Sequence, residues 1–187
     1  MGEFWQDPET AKQETVLRVA LRWLSEGVET VVPAVLIAIL INVFLAQATR
    51  VYGQSMEPNL HSDQRLVVEK LSYNFHEPRR GDIVILQVPQ AGPGLLIKRV
   101  VGLPGEKVEI KGAKVYINEQ PLEEPYLSSQ SQRDVRATVV PPEHVFVLGD
   151  NRGFSNDSRA FGPVPLDNVI GRAWFSYWPL DQVGFVE

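Results

Sequence analysis

The stretch KVEIKGAKVYI, residues 107–117, decides the fold class of this chain. Apolar and polar side chains alternate on both sides of Gly112-Ala113, and a period of two is typical of strands with one buried face. Two such runs separated by two turn residues predict a β-hairpin. Further short apolar runs predict strands at residues 66–68, 82–88, 95–101, 144–148 and 169–178. We therefore expect a mostly β domain, barrel-like or a sandwich, over residues 50–187.

The amino-acid composition excludes several classes of function. With 18 basic and 23 acidic side chains the chain lacks the basic excess of a nucleic-acid-binding surface, so no nucleic-acid partner is expected. The absence of cysteine excludes disulfides, thiolate metal sites and a cysteine nucleophile. The three histidines, His61, His76 and His144, stand in no metal-ligand spacing, so neither a metal, a cofactor nor a histidine-dependent triad is expected. The polar, proline-flanked residues 120–142 predict a long excursion from the core.

Before the β region lies the apolar run VVPAVLIAILINVFLAQA, residues 31–48, which has no charged residue. Since a membrane span needs about 20 mainly apolar residues, this run predicts a single transmembrane helix over residues 30–49. A buried core helix is the first alternative, and the shortage of other helical patterns disfavours it. A cleavable signal is the second, because Ala46-Gln47-Ala48 has the small-x-small form of a cleavage site. The long leading region disfavours that alternative.

The basic residues of the N-terminal part predict its orientation. Lys12, Arg18 and Arg22 precede the run and Arg50 follows it, an excess that places residues 1–29 in the cytoplasm and the β domain on the opposite side. Apolar residues between 16 and 24 recur at helical spacing. Two interpretations stay open for them: an amphipathic helix at the membrane interface, or the first turns of one long helix.

Two motifs indicate nucleophilic chemistry. In VYGQSMEPNL, residues 51–60, Ser55 stands in a glycine-containing turn that is closely followed by proline. In LLIKRVVGLPG, residues 95–105, Lys98 interrupts an apolar strand. If Lys98 points inward, desolvation lowers its pKa and leaves a neutral amine, which can activate a serine without histidine. If it points outward, it is an ordinary surface lysine.

A third motif, GDNRGFSNDSRAFG, residues 149–162, combines two acids with two arginines. Pairing of Asp150 with Arg159, or of Asp157 with Arg152, is one way to fix the shape of this loop. The alternative is a solvated surface loop.

Taken together and in this order, the three motifs and the strand motif RGDIV, residues 80–84, closely resemble the type I signal peptidase family, which includes bacterial leader peptidases and their thylakoid relatives. They are similar to its Ser-Met-x-Pro-x-Leu, Lys-Arg-Val-Val-Gly-Leu-Pro-Gly and Gly-Asp-Asn-Arg-x-x-Ser-x-Asp-Ser-Arg boxes. The resemblance extends from the apolar run to about Gly171.

The resemblance implies a role for each matched residue. Ser55 corresponds to the nucleophile and Lys98 to its general base. Ser155 corresponds to a serine whose hydroxyl orients the lysine amine, and Asp157 with Arg159 to an ion pair that shapes the site.

The same resemblance implies how the oxyanion and the substrate are held. Many members carry a serine where this chain has Gly53, so the backbone N–H groups of Ser55 and Gly53 are expected to stabilise the oxyanion. Val51, Leu96 and Ile97 flank the catalytic residues and are candidates for lining shallow substrate pockets.

The expected activity is removal of signal peptides from secretory preproteins after small residues, of the Ala-x-Ala type, at a cell or thylakoid membrane. The expected partners are these signal peptides and the lipid bilayer.

Two other classes of protein are alternatives. A self-cleaving Ser–Lys repressor would have a DNA-binding segment where this chain has the apolar run. A non-catalytic peptide-binding domain would not need both Ser55 and Lys98. The aromatic residues between Trp174 and Trp178 are interpreted either as core or as a membrane-facing patch.

Overall fold

The structure, a computed structural model, describes residues 22–23, 26–39, 46–127 and 133–186. The chain divides into two compact units, Met1–Val43 and Phe44–Glu187. In the first unit, residues 22–23 and 26–39 are helical, and we name the helix over 26–39 α1. An i,i+4 ion pair joins Arg22 Nε to Glu26 Oε1 at 2.9 Å. Among the described residues no helix is both long enough and apolar enough to cross a membrane.

The C-terminal end of the predicted transmembrane helix is wrong. Residues Ala46–Arg50 form strand β1, which pairs antiparallel with β2, Arg65–Glu69. Hydropathy along the chain contains no information about a partner strand that lies about 20 residues further on. Pairing with that strand satisfies the backbone hydrogen bonds of residues 46–50 in a sheet. Residues 40–45, which belong to the same prediction, lie outside the described part.

The second unit is built on a curled half-barrel sheet. Its strand order is β1-β2-β11-β3-β4-β9-β10, with β12 added beside β11, and every pairing is antiparallel. The remaining strands of this sheet are β3 (Ile83–Gln87), β4 (Leu95–Gly102), β9 (His144–Leu148), β10 (Val164–Pro165), β11 (Val169–Trp178) and β12 (Gly184–Phe185).

A smaller sheet has the order β7-β6-β5-β8. Its strands are β5 (Lys107–Lys111), β6 (Lys114–Ile117), β7 (Gln120–Pro121) and β8 (Val135–Val139). The predicted hairpin is confirmed, since β5 pairs with β6 across Gly112-Ala113. Both turn residues have positive φ, 56° and 66°, which is the conformation of a type I′ turn.

Of residues 120–142, predicted to be an excursion from the core, the structure describes 120–127 and 133–142. They supply β7 and β8 to the smaller sheet, and Leu122 and Val135 pack against the buried cluster of that sheet. Two-residue strands such as β7, β10 and β12 are too short for a period of two to reveal them, and the burial along β8 does not alternate.

Three clusters of buried residues form the core, and most of these residues lie in strands. The four-residue helix α2, Ser158–Phe161, is the only α-helix in the described part of the second unit, together with four 3₁₀ turns at Ser72–Asn74, Pro89–Ala91, Leu166–Asn168 and Leu180–Gln182. The mostly β class is therefore confirmed. The candidate site is formed by the connection between β1 and β2, by β4 itself and by the loop that follows β9.

Candidate functional site

The side chains of Ser55 and Lys98 meet, although they lie 43 residues apart in the sequence. Lys98 Nζ is 2.8 Å from Ser55 Oγ and donates a second hydrogen bond to the Ile97 carbonyl at 3.0 Å. Strand β4 points Lys98 inward, and the residue is only 2% exposed. Its cross-strand neighbour Val84 is fully buried. The inward alternative for Lys98 is therefore the correct one.

Burial changes the proton affinity of the Lys98 amine. Loss of water disfavours its charged form and lowers its pKa to about 8, from an ordinary value of 10.5. The carboxylates of Asp157 and Asp150 oppose this change, while the positive charge of Arg159 adds to it. A substantial fraction of the amine is thus neutral near pH 8, and a neutral amine can accept the proton of a hydroxyl.

The turn that carries Ser55 is anchored on both sides. Val51, Met56 and Leu60 are buried in one core cluster, while Ser55 itself is half-buried. Gly53 has a φ of 80°, a conformation that strains any residue with a Cβ, so glycine suits this position for a backbone reason.

The backbone of Ser55 contacts the loop that follows β9, and glycine permits the close approach. The Ser55 carbonyl accepts a hydrogen bond from the Asn151 N–H at 3.0 Å. A Cβ added at Gly149 would lie 2.5 Å from that carbonyl oxygen and 2.2 Å from Ser155 Oγ, both well inside contact distance. No local sequence pattern distinguishes Gly149 from other turn glycines, although it opens the third motif.

Asp157 and Arg159 form the ion pair that the resemblance implied. Arg159 Nε and Nη2 each lie 2.8 Å from one of the two carboxylate oxygens, a bidentate arrangement. Asp157 also caps α2 by accepting from the Arg159 N–H at 3.2 Å, and it accepts from the Gly149 N–H at 3.0 Å. Burial works to raise the pKa of Asp157, but the hydrogen bonds and charge of Arg159, together with the Ser155 hydroxyl and the Gly149 N–H, outweigh it and hold this pKa below its usual value.

The other charges of the loop pair differently from both suggested alternatives. Asp150 binds Arg99, with Nε–Oδ1 and Nη2–Oδ2 distances of 2.9 and 2.7 Å, rather than Arg159. Arg152 binds Glu124 rather than Asp157. The sequence analysis gave neither Arg99 nor Glu124 a role, because partners this distant in sequence leave no local pattern.

Ser155 does not make the contact expected of it. Its hydroxyl oxygen is buried and has no hydrogen-bond partner among the described residues, so it does not bind the Lys98 amine here. It lies against Gly149, and it is close enough to the Asp157 carboxylate to help lower that pKa, but not in hydrogen-bonding geometry.

The backbone amides expected to stabilise an oxyanion have no partner in the structure. Neither the Ser55 N–H nor the Gly53 N–H makes a hydrogen bond to any residue that the structure describes.

The three pocket candidates do not share one environment. Val51 and Ile97, 2% and 9% exposed, belong to the same core cluster. Leu96 is half-buried and packs against a different cluster. Of the aromatic residues, Trp174 and Trp178 are largely exposed, and Trp174 packs edge-on against Phe185 at 5.5 Å.

No group of three or more potential metal-ligating side chains occurs in residues 22–23, 26–39, 46–127 and 133–186. The chemistry available to the site is that of a serine hydroxyl in contact with a buried amine. A mostly β domain with such a site fits the serine hydrolases.

The comparisons specify this class further. The family described as "Signal peptidase, peptidase S26" matches residues 24–178. The chain therefore belongs to the S26 signal peptidase family, and it is a serine peptidase that removes signal peptides.

The chain is also similar to individual proteins and to a solved structure. A "Signal peptidase I" of Leptolyngbya laminosa is 44% identical over 86% of this chain and 83% of its own length. The "Thylakoidal processing peptidase 1, chloroplastic" of Arabidopsis thaliana is 35% identical over 85% of this chain and 50% of its own length. A crystal structure of a signal peptidase I from Enterococcus faecalis V583 is 35% identical and covers 52% of this chain and 97% of its own, with a TM-score of 0.48.

Proposed function

We propose that this chain removes signal peptides with Ser55 as nucleophile and Lys98 as general base. The observation that carries the proposal is the 2.8 Å contact between Lys98 Nζ and Ser55 Oγ, made by an amine that burial keeps partly neutral. The distance is within the reach that proton transfer to a general base requires.

The reaction proceeds in two stages. Ser55 Oγ attacks the scissile carbonyl carbon while its proton moves to Lys98 Nζ, and the tetrahedral intermediate collapses as the leaving amine takes that proton. The remaining acyl ester is attacked by water, whose proton again moves to Lys98 Nζ. The proton then returns to Ser55 Oγ, which restores the enzyme and releases the signal peptide with a free carboxylate.

The N–H groups of Ser55 and Gly53 stabilise the oxyanion of both intermediates. Their lack of other partners supports this assignment. Removing one oxyanion donor in other hydrolases costs about 10²–10³ in rate, which indicates how much these two N–H groups contribute.

The loop after β9 keeps the amine in place. The Asp157–Arg159 pair gives the loop its shape, and the Ser155 hydroxyl orients the Lys98 amine. The unpaired state of the Ser155 hydroxyl supports this second role, because a buried hydroxyl without a partner gains by forming a hydrogen bond.

The substrate binds as an extended strand and is cleaved after a small residue, as in Ala-x-Ala. Val51, Leu96 and Ile97 line the shallow pockets that admit only small side chains. The near-complete burial of Val51 and Ile97 supports shallow rather than deep pockets.

The enzyme acts at a cell or thylakoid membrane. The apolar sequence that precedes β1 associates it with the lipid bilayer, residues 1–29 lie in the cytoplasm, and the β domain works on the other side. The uncharged run over residues 31–45 and the basic residues before it support this arrangement.

The test is cleavage of a preprotein with an Ala-x-Ala site in detergent or liposomes, by the unaltered protein and by folded Ser55→Ala and Lys98→Ala variants. Cleavage after the small residue that both substitutions abolish is the expected result. Cleavage that survives either substitution removes that residue from the mechanism, and binding without cleavage by the unaltered protein would instead indicate a peptide-binding domain.

A further inference from the structure

A short segment that follows β7 connects the smaller sheet to the loop of the candidate site. We name residues 122–127 the strap. Burial alternates along the strap. Taken as whole residues, Leu122, Glu124 and Tyr126 are half-buried, while the residues between them are exposed. Leu122 packs against the core of the smaller sheet, and its N–H donates to the Val115 carbonyl at 2.8 Å. The strap is thus fixed at its start.

Glu124 forms a buried ion pair with Arg152 of the loop that follows β9. Both carboxylate oxygens take part: Oε2 accepts from Arg152 Nη1 at 3.2 Å, and Oε1 is in close contact with Nη2. The two side chains are only 5% and 1% exposed. The Tyr126 hydroxyl donates to Glu124 Oε1 at 2.7 Å. A buried pair of this kind is sensitive to the loss of either charge, because the partner is then left uncompensated.

Arg152 transmits this anchoring to the residues around Ser55. Its Nε donates to the Gly149 carbonyl at 3.1 Å, and its own carbonyl accepts from Arg159 Nη1 at 2.7 Å. Gly149 in turn is packed so closely on the Ser55 backbone that no Cβ fits between them. A continuous series of contacts therefore leads from Glu124 through Arg152 and Gly149 to Ser55.

The other end of the strap contacts the motif that contains Ser55. The Tyr126 carbonyl accepts from Asn59 Nδ2 at 2.9 Å, and the Tyr126 ring lies 4.1 Å from the guanidinium carbon of Arg99, in cation–π geometry. Asn59 Nδ2 also donates to Asp150 Oδ2 at 2.8 Å. The strap thus contacts all three motifs of the site without touching Ser55 or Lys98.

We propose that Glu124 is a positioning residue of the peptidase: through its ion pair with Arg152 it holds the loop that follows β9 against the Ser55 backbone. The inference rests on the proposed function of Ser55 and Lys98. Without the carboxylate, the buried guanidinium of Arg152 loses the charge that Glu124 supplies, and its hold on the Gly149 carbonyl weakens. Gly149 and Asn151 then shift relative to Ser55, and water reaches Lys98.

The first experiment compares the full-length protein with Glu124→Gln, which keeps the shape of the side chain and removes its charge. We expect kcat on an Ala-x-Ala preprotein to fall about 10- to 100-fold with KM nearly unchanged, because a misplacement of about 1 Å can cost that much. A fall in stability alone, with kcat of the folded fraction unchanged, would overturn the proposal.

A second readout does not depend on cleavage. The pKa of Lys98 is followed by NMR of ¹³C-labelled lysine in both proteins, with Lys98→Arg used to assign the signal. The charged and polar groups that face this amine are Ser55, Asp150, Asp157 and Arg159. Since all of them remain in Glu124→Gln, a rise of the Lys98 pKa toward its ordinary value reports entry of water at the loosened loop. An unchanged Lys98 pKa together with unchanged kcat contradicts the proposal.

Glu106→Gln is the matched control. Glu106 pairs with Arg80 and accepts from the Leu103 N–H, in another partly buried arginine–glutamate pair that makes no contact with the loop after β9. We expect it to lower stability and leave kcat and the Lys98 pKa unchanged. Equal loss of kcat in both variants would mean that Glu124 acts only through general stability.

Two further variants keep the test decisive. In an Arg152→Gln background, Glu124→Gln should cause little additional loss of kcat, because the two residues act as one unit. If Glu124→Gln does not fold, Tyr126→Phe removes a hydrogen bond to the same carboxylate and should lower kcat a few-fold at constant KM. Additive losses in the first case, or no loss in the second, would overturn the assignment.

The two proposals can fail separately. Cleavage that persists in Ser55→Ala or Lys98→Ala refutes the proposed mechanism whatever Glu124 does. Cleavage that both substitutions abolish but Glu124→Gln leaves intact refutes the positioning role alone.

Discussion

The guanidinium of Arg99 binds both carboxylate oxygens of Asp150, and both side chains are almost completely buried. Arg99 adjoins Lys98 in β4, and Asp150 adjoins Gly149 in the loop after β9. The pair therefore joins the strand that carries the proposed general base to the loop that contacts the nucleophile. The pair therefore holds the parts of the site together, and the charge of Asp150 also acts on the Lys98 amine.

Removal of the Arg99 charge should strongly destabilise the second unit. In Arg99→Met, Asn59 is the only side-chain donor to Asp150 that remains among the described residues, and we expect the free energy of unfolding to fall by about 3–5 kcal/mol. Urea denaturation followed by circular dichroism measures the loss. Arg50→Ala is the control, since its pair with Asp63 is exposed to water and should contribute little to stability. Similar losses in the two variants would contradict the buried pair's importance.

The activity should increase with pH. Because the proposed general base is the neutral Lys98 amine, and burial lowers the pKa of this amine to about 8, kcat/KM should rise with pH and level off above about pH 8. The measurement is a pH profile of preprotein cleavage, with enzyme stability checked at each pH. A profile that is flat from pH 6 to 10 would exclude the titration of Lys98 from the reaction.

Replacement of Lys98 should stabilise the fold at neutral pH. The pKa of Lys98 is lower in the folded protein, about 8, than its ordinary value of 10.5, so the unfolded chain binds more protons between these values. Stability of the unaltered protein should consequently rise with pH over this interval. Lys98→Met should be more stable than the unaltered protein below about pH 8, and the difference should fade above about 10.5. Chemical denaturation at several pH values tests this, and a difference that is independent of pH would contradict it.

A methyl group at Gly149 should impair catalysis. The Cβ of Gly149→Ala would lie 2.5 Å from the Ser55 carbonyl oxygen, which must then move away from the loop. We expect kcat to fall by about 10- to 100-fold through misplacement of the nucleophile. Gly153→Ala in the same loop is the matched control, because its nearest neighbouring atom would be 3.9 Å away. Preprotein cleavage kinetics compare the two, and equal effects would mean that the close approach at Gly149 has no special importance.

Much of the architecture could be predicted from local sequence patterns. The alternation in β5 and β6 and the turn at Gly112-Ala113 predicted the hairpin in its observed register. The apolar runs located β3, β4, β9 and β11 to within about two residues. The motifs around Ser55, Lys98 and residues 149–162 indicated which segments would form the site. Such signals are encoded by neighbours along the chain, so they need no knowledge of the fold.

Only the tertiary structure decided what these segments contact. The inward direction of Lys98, the partners of Asp150 and Arg152, and the end of the predicted apolar helix at β1 all depend on residues far away in the sequence. Asp150 pairs with Arg99, which lies 51 positions earlier in the sequence, and Arg152 pairs with Glu124, which lies 28 positions earlier. Burial and charge pairing are set by whichever side chains the folded sheets bring together, and a linear pattern does not contain that information.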